Sequence, residues 1–105
     1  MLNDIIYTGV IYLAVGDSGA ILSSFDSTSW TAQTSGTTEA LQSVTWTGNM
    51  FVVAGANGTL LTSNDGVTWA SQTSGVTENL QDVIWTGSEL MAVGDNGTIL
   101  TSVAP

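Results

Sequence analysis

The feature that most constrains this chain is that it repeats itself. Laid over itself at an offset of 39 residues, Asp4–Gln42 and Ser43–Gln81 are identical at 16 of 39 positions, and a third copy begins at Asp82 and stops early. Tyr7, Trp46 and Trp85 fall together, as do Gly16, Gly55 and Gly94, then Gly19, Gly58 and Gly97, then Leu22, Leu61 and Leu100. Trp30 falls on Trp69, and Gln33-Thr34-Ser35-Gly36 recurs as Gln72-Thr73-Ser74-Gly75. Such a repeat is one supersecondary unit built several times, each copy burying its apolar surface against its neighbours. The units are 4–42, 43–81 and a shorter 82–105.

Within a unit the pattern predicts four short strands separated by turn residues. In the second unit these are 42–47, 50–54, 59–63 and 67–73, with breaks at Gly48-Asn49, Gly55-Ala56-Asn57-Gly58 and Asn64-Asp65-Gly66. Asn-Gly and Asp-Gly between apolar runs are hairpin signals. The second strand, Phe51-Val52-Val53-Ala54, does not alternate with polar residues. A strand apolar on both sides is covered on both faces. The expected fold class is therefore all-β, with β-propeller blades of four antiparallel strands: two full blades and a three-stranded third. A β-solenoid is the runner-up, but its repeats are shorter and need no hairpin after every strand.

Charge narrows the function. The chain has nine carboxylates and no Lys, Arg or His. No side-chain salt bridge can form. A formal charge of −9 opposes nucleic acid, where binding requires cationic side chains to displace counterions, and opposes anionic membrane surfaces. No apolar run approaches the roughly 18 residues of a membrane-spanning helix, and 1–20 lacks the basic start of a signal peptide. There is no Cys for a disulfide or a thiolate site. Nucleophilic catalysis by Ser or Thr has no His or Lys base to draw on. A carboxylate-pair glycosidase is chemically allowed, yet nothing singles out a pair, because the acids mostly recur with the repeat.

One stretch carries a resemblance. Thr62-Ser63-Asn64-Asp65-Gly66-Val67-Thr68-Trp69 resembles the Asp box, Ser/Thr-x-Asp-x-Gly-x-Thr-Trp, of bacterial neuraminidase repeats, with Asn64 where the motif has Asp. In the first unit, Ser23–Trp30 keeps the first Ser and the Trp but has Phe25 and Ser27 at the Asp and Gly places; the third unit has lost the box. The resemblance implies a propeller in which Thr62, Asn64, Gly66, Thr68, Trp69 and Trp30 are structural. The polar side chain fastens the hairpin and the Trp packs between blades. The family includes sialidases, which hold their substrate with an Arg cluster and use a Tyr nucleophile. This chain has no Arg, so no catalytic residue is expected and the protein is read as a non-enzyme.

Two expectations follow for surfaces. In an up-and-down blade, turns between second and third strands emerge at the same end as links between blades. Asp17 and Asp95 fall in such turns, Glu39 and Glu78 in such links, and Asp4 and Asp82 beside them, so six of nine acids gather at one end. This is read either as a solubilising surface or as a binding face for hydroxyl-rich molecules such as glycans, with Asp17, Glu39, Glu78 and Asp95 as candidates. No cofactor is expected. Without Asp-x-Asp-x-Asp spacing a divalent cation would be held only weakly. Tyr7, Trp46 and Trp85 are read as packing between blades rather than as sugar platforms. Three blades do not close a ring, since propellers have about four to eight. Self-association is therefore expected, with a homodimer of six blades the simplest solution. The fourth strand of the last blade is either absent, with Pro105 blunting the edge, or supplied by a partner. The functional expectation is a structural or adhesive module of a virion, such as a phage tail or decoration protein, or of a cell surface. A glycan-binding lectin, or a piece of a larger natural or engineered propeller, stands as the alternative.

Overall fold

The computed structural model describes residues 1–103. The fold is all-β, with three antiparallel sheets of four, four and three strands. The first sheet holds β1 (Leu2–Tyr7), β2 (Tyr12–Gly16), β3 (Ile21–Ser24) and β4 (Thr31–Gln33). The middle sheet holds β5 (Leu41–Trp46), β6 (Phe51–Gly55), β7 (Leu60–Ser63) and β8 (Ala70–Gln72). The third holds β9 (Leu80–Trp85), β10 (Glu89–Gly94) and β11 (Ile99–Val103). Each strand pairs with the next in sequence, so every sheet is a simple meander. The edge role expected of Pro105 lies outside the described residues.

The strand limits follow the expected ones within a residue or two, apart from the fourth. There the expected 67–73 shrinks to Ala70–Gln72, because Val67–Trp69 belong to the turn. The break after the second strand is a 3₁₀ turn in each sheet, at Asp17–Gly19, Ala56–Gly58 and Asp95–Gly97. Its middle residue, Ser18, Asn57 or Asn96, is left-handed, with φ of 59°, 56° and 59°. Asn tolerates that region because its short side chain hydrogen-bonds locally.

The sheets stack face to face. Leu13, Val15 and Ile21 of the first sheet pack on Val44, Phe51, Val53 and Leu61 of the middle one, with Trp46 and Trp69 closing the seam. Val52 and Ala54 of the middle sheet pack on Val83 and Ala92 of the third, with Leu60, Leu90 and Leu100 around them. All five residues of β6 are buried, which accounts for its lack of polar alternation: neighbours cover both of its faces. Phe51, 1% exposed, is the largest fully buried side chain; burying a side chain of this kind contributes about 1.5–3 kcal/mol.

A β-bulge recurs at the same place in each first strand. Pairing skips Asn3, Gln42 and Gln81. The residue after the bulge reaches the next sheet. The Val44 N–H donates to Asp4 Oδ2 at 3.0 Å, and the Val83 N–H donates to Ser43 Oγ at 3.2 Å. Ser43 in turn donates to Asp82 Oδ1 at 2.8 Å. Asp4, Ser43 and Asp82 occupy one repeat position, so one polar stitch joins successive sheets beside each apolar seam.

Candidate functional site

The acidic end forms as the topology requires. Leu2 pairs with Gly16 and Leu80 with Gly94, which puts the starts of β1 and β9 beside the 3₁₀ turns carrying Asp17 and Asp95. Glu39 and Glu78 lie in the links that enter the same end. Amide side chains engage each of the four candidate carboxylates. Asn3 donates to Asp17 at 3.0 Å, Asn57 to Glu39 at 2.9 Å, Asn96 to Glu78, and Asn79 and Gln81 to Asp95 at 3.1 and 3.0 Å. The Asn57 N–H also donates to Asn79 Oδ1 at 3.0 Å, so Glu39 and Asp95 belong to one network across the middle and third sheets. Asp17 and Glu78 stand outside it. Among the described residues no three Asp or Glu side chains come together as metal ligands. With no Lys or Arg side chain, the carboxylates at this end take their side-chain donors from amides. The sequence reading missed these amides. Their signal was the recurring Asn in the turn, at Asn57 and Asn96.

At the opposite end the hairpin fastening is present, but shifted by one residue from the expected register. Ser63 and Asp65 make it, not Thr62 and Asn64. Ser63 Oγ accepts the Gly66 N–H at 2.8 Å and donates to Asp65, whose Oδ1 accepts from Val67 and Thr68 at 2.8 and 3.0 Å. Asn64 is exposed, and Thr62 Oγ1 accepts from Gln72 at 3.0 Å. The carboxylate must sit two and three residues before the N–H groups it accepts, and only Asp65 has that spacing. The same geometry corrects the view of the first unit as degraded. Ser24 and Asp26 fasten it identically, with Asp26 accepting from Thr28 and Ser29 at 2.9 Å each. Ser24/Ser63 and Asp26/Asp65 are identical between the repeats, and that identity was the available signal. Gly66 sits at φ 79° and Ser27 takes the same region at φ 68°. Each turn is closed by its Trp: Trp69 Nε1 donates to Gly66 O and Trp30 Nε1 to Ser27 O, both at 3.2 Å. Trp69 packs into the first seam, whereas Trp30 lies on the outer face beside Tyr12. The backbone bonds from Ser29 and Thr28 hold the Asp26 carboxyl far below the usual carboxylate range, and those from Thr68 and Val67 lower Asp65.

The aromatic position in the first strands divides the same way. Trp46 packs on the core and on Phe51, with ring centroids 4.6 Å apart. Tyr7 is exposed and stacks on Tyr12 at 4.3 Å. A cleft of about 440 Å³ opens between the middle and third sheets, lined by Met50, Leu60, Gln72, Leu90 and Leu100. It lies where the first seam holds Trp69, a residue with no counterpart among the described residues of the third sheet. Comparison with protein families, with curated proteins and with solved structures returns no match.

Proposed function

We propose that this chain is a non-enzymatic structural or adhesive module: three blades of a β-propeller of the bacterial neuraminidase repeat type, completed by association with a second copy. One observation carries the reading. The three sheets are stacked through a single face-to-face contact used twice, and the faces equivalent to those already buried are uncovered on both outer sides of the stack. Uncovered apolar surface of this kind drives association. Two copies supply six blades, within the range of closed propellers. The chemistry available supports a scaffold. Each candidate carboxylate is tied to an amide of the chain itself, and the chain has no His or Lys side chain to act as base for a hydroxyl. A chain without Lys or Arg also offers trypsin no site, which suits an exposed assembly such as a virion or cell-surface component.

The native mass of the intact chain tests this reading. A dimer is expected, tighter in high salt, where the repulsion between two chains of charge −9 is screened over about 8 Å or less. A monomer in both low and high salt refutes it.

A further inference from the structure

The repeat specifies which faces meet. In the middle sheet Val44, Trp46, Phe51, Leu61 and Trp69 receive the first sheet. Their counterparts one repeat earlier are Ile5, Tyr7, Tyr12, Leu22 and Trp30, on the outer side of the first sheet, where Ile5, Tyr7 and Trp30 are 56%, 54% and 38% exposed. On the opposing side Leu13, Val15 and Ile21 are buried in the first seam. Their counterparts two repeats later are Met91, Val93 and Ile99, with Val93 and Ile99 43% and 64% exposed. Each outer face of the molecule is thus the sequence counterpart of a face that, inside the same chain, buries the counterpart of the other.

We propose that two copies join head to tail, the third sheet of one against the first sheet of the next, and that this seam takes up a proton. The inference rests on the self-association proposed above. A second copy is the fitting occupant because it alone presents both faces in the register the internal seams use. A heterologous contact of this kind closes into a ring when its rotation allows.

The proton follows from the stitch beside each seam. Its positions run Asp4, Ser43, Asp82: in the first seam Asp4 accepts the Val44 N–H, and in the second Ser43 accepts the Val83 N–H and sets its hydroxyl against Asp82, to which it donates at 2.8 Å. Carried one step further, the same contact sets Asp82 of one copy against Asp4 of the next. Two carboxylates at that separation do not both stay ionised: one binds a proton from solvent and donates it to the other. The Ile5 N–H of the next copy, counterpart of the Val44 and Val83 N–H groups, donates to Asp82 there, but no side-chain cation offsets the pair. Glu89 stands where Ile11 and Met50 pack in the other units, and there it faces the turn holding Asp26 of the next copy. The turn holding Asp95 meets the next first strand, as its two counterparts meet β5 and β9. The chain has no Lys, Arg or His, leaving the terminal amine as its one cation. The two carboxylates meet only when copies join, and the joined pair holds a proton, so association tightens as pH falls.

Sedimentation of the intact chain at pH 7.5 and pH 5 in high salt tests the proposal. The wild type is expected to associate about tenfold more tightly per pH unit for each proton taken up, levelling below about pH 4. Asp82→Asn keeps an acceptor for Ser43 and adds an amide donor at the seam. It should associate more tightly at pH 7.5 and show a flatter pH dependence, while Glu39→Gln, which removes an equal charge elsewhere, keeps the wild-type slope. Ile5→Glu and Val93→Glu should each abolish self-association at pH 5, and an equimolar mixture of the two should form a heterodimer through its one intact seam. A Val93→Glu chain that still self-associates overturns the head-to-tail contact and leaves the self-association reading standing. A wild-type pH slope unchanged by Asp82→Asn overturns the proton. A wild type that is monomeric throughout overturns both readings and assigns the uncovered faces to another occupant.

Discussion

Gly19, Gly58 and Gly97 hold one place in the repeat and one conformation, with φ of 73°, 72° and 73°, yet they differ in what surrounds them. A Cβ on Gly58 would lie 2.0 Å from Val76 O, about 1 Å inside the closest approach that real Cβ atoms make. On Gly19 it would lie 1.9 Å from Thr37 O. On Gly97 it would meet nothing within 4 Å. Gly97→Ala therefore adds left-handed strain alone, about 1–2 kcal/mol. Gly58→Ala adds the same strain and also drives back the link at Val76. That link is held by Ser74, which accepts from Val76 N–H and donates to Val76 O. Overpacking of this kind costs about 1–3 kcal/mol more, so the expected loss is roughly 2–5 kcal/mol at Gly58 and at Gly19. Against a typical stability of about 5–15 kcal/mol, that difference is well resolved. Urea unfolding followed by Trp fluorescence, with the three alanine variants side by side, measures it. Equal losses at Gly58 and Gly97 would refute the reasoning, because they would mean that the link does not press on the turn.

Phe51→Ala should cost about 3–5 kcal/mol in the same assay, since Phe51 fills the first seam between Trp46 and Trp69. Ser63→Ala should cost about 1 kcal/mol by removing the acceptor for Gly66 N–H, whereas Asn64→Ala should stay within about 0.5 kcal/mol; the reverse order would restore the unshifted motif register. Asp26 and Asp65 are held below their unfolded value, so their contribution is complete above about pH 4 and is lost as pH falls. The urea midpoint of the wild type should drop between pH 4 and pH 2, and the double variant Asp26→Asn/Asp65→Asn should drop less; identical acid profiles would rule the turns out as the cause.

Much of the fold was legible because repetition is a one-dimensional property. The 39-residue offset, the four-strand unit and the apolar run of β6 can each be read from residue types and spacing alone. The acidic end was legible for the same reason: strand alternation fixes which turns share an end. What was misread is local and polar. The motif's residue types place the hairpin's fastening side chain at Asn64, while the hydrogen bonds depend on where N–H groups point, and they point at Ser63 and Asp65. The amide partners of Asp17, Glu39, Glu78 and Asp95 were not legible either, because each pair is 14 or more residues apart and is joined only when the turns and links meet.

The sequence by itself determined that this protein is a stack of equivalent β-sheets without cationic chemistry, because periodicity and the absence of Lys, Arg and His are complete in the order of the residues. Only the tertiary structure decided that Val15 is buried while its counterpart Val93 is exposed, and that Phe51 is buried while its counterpart Tyr12 is only half-covered. Equivalent residues have equivalent propensities; their fates differ because burial belongs to the neighbour a face meets, not to the residue that lies on it.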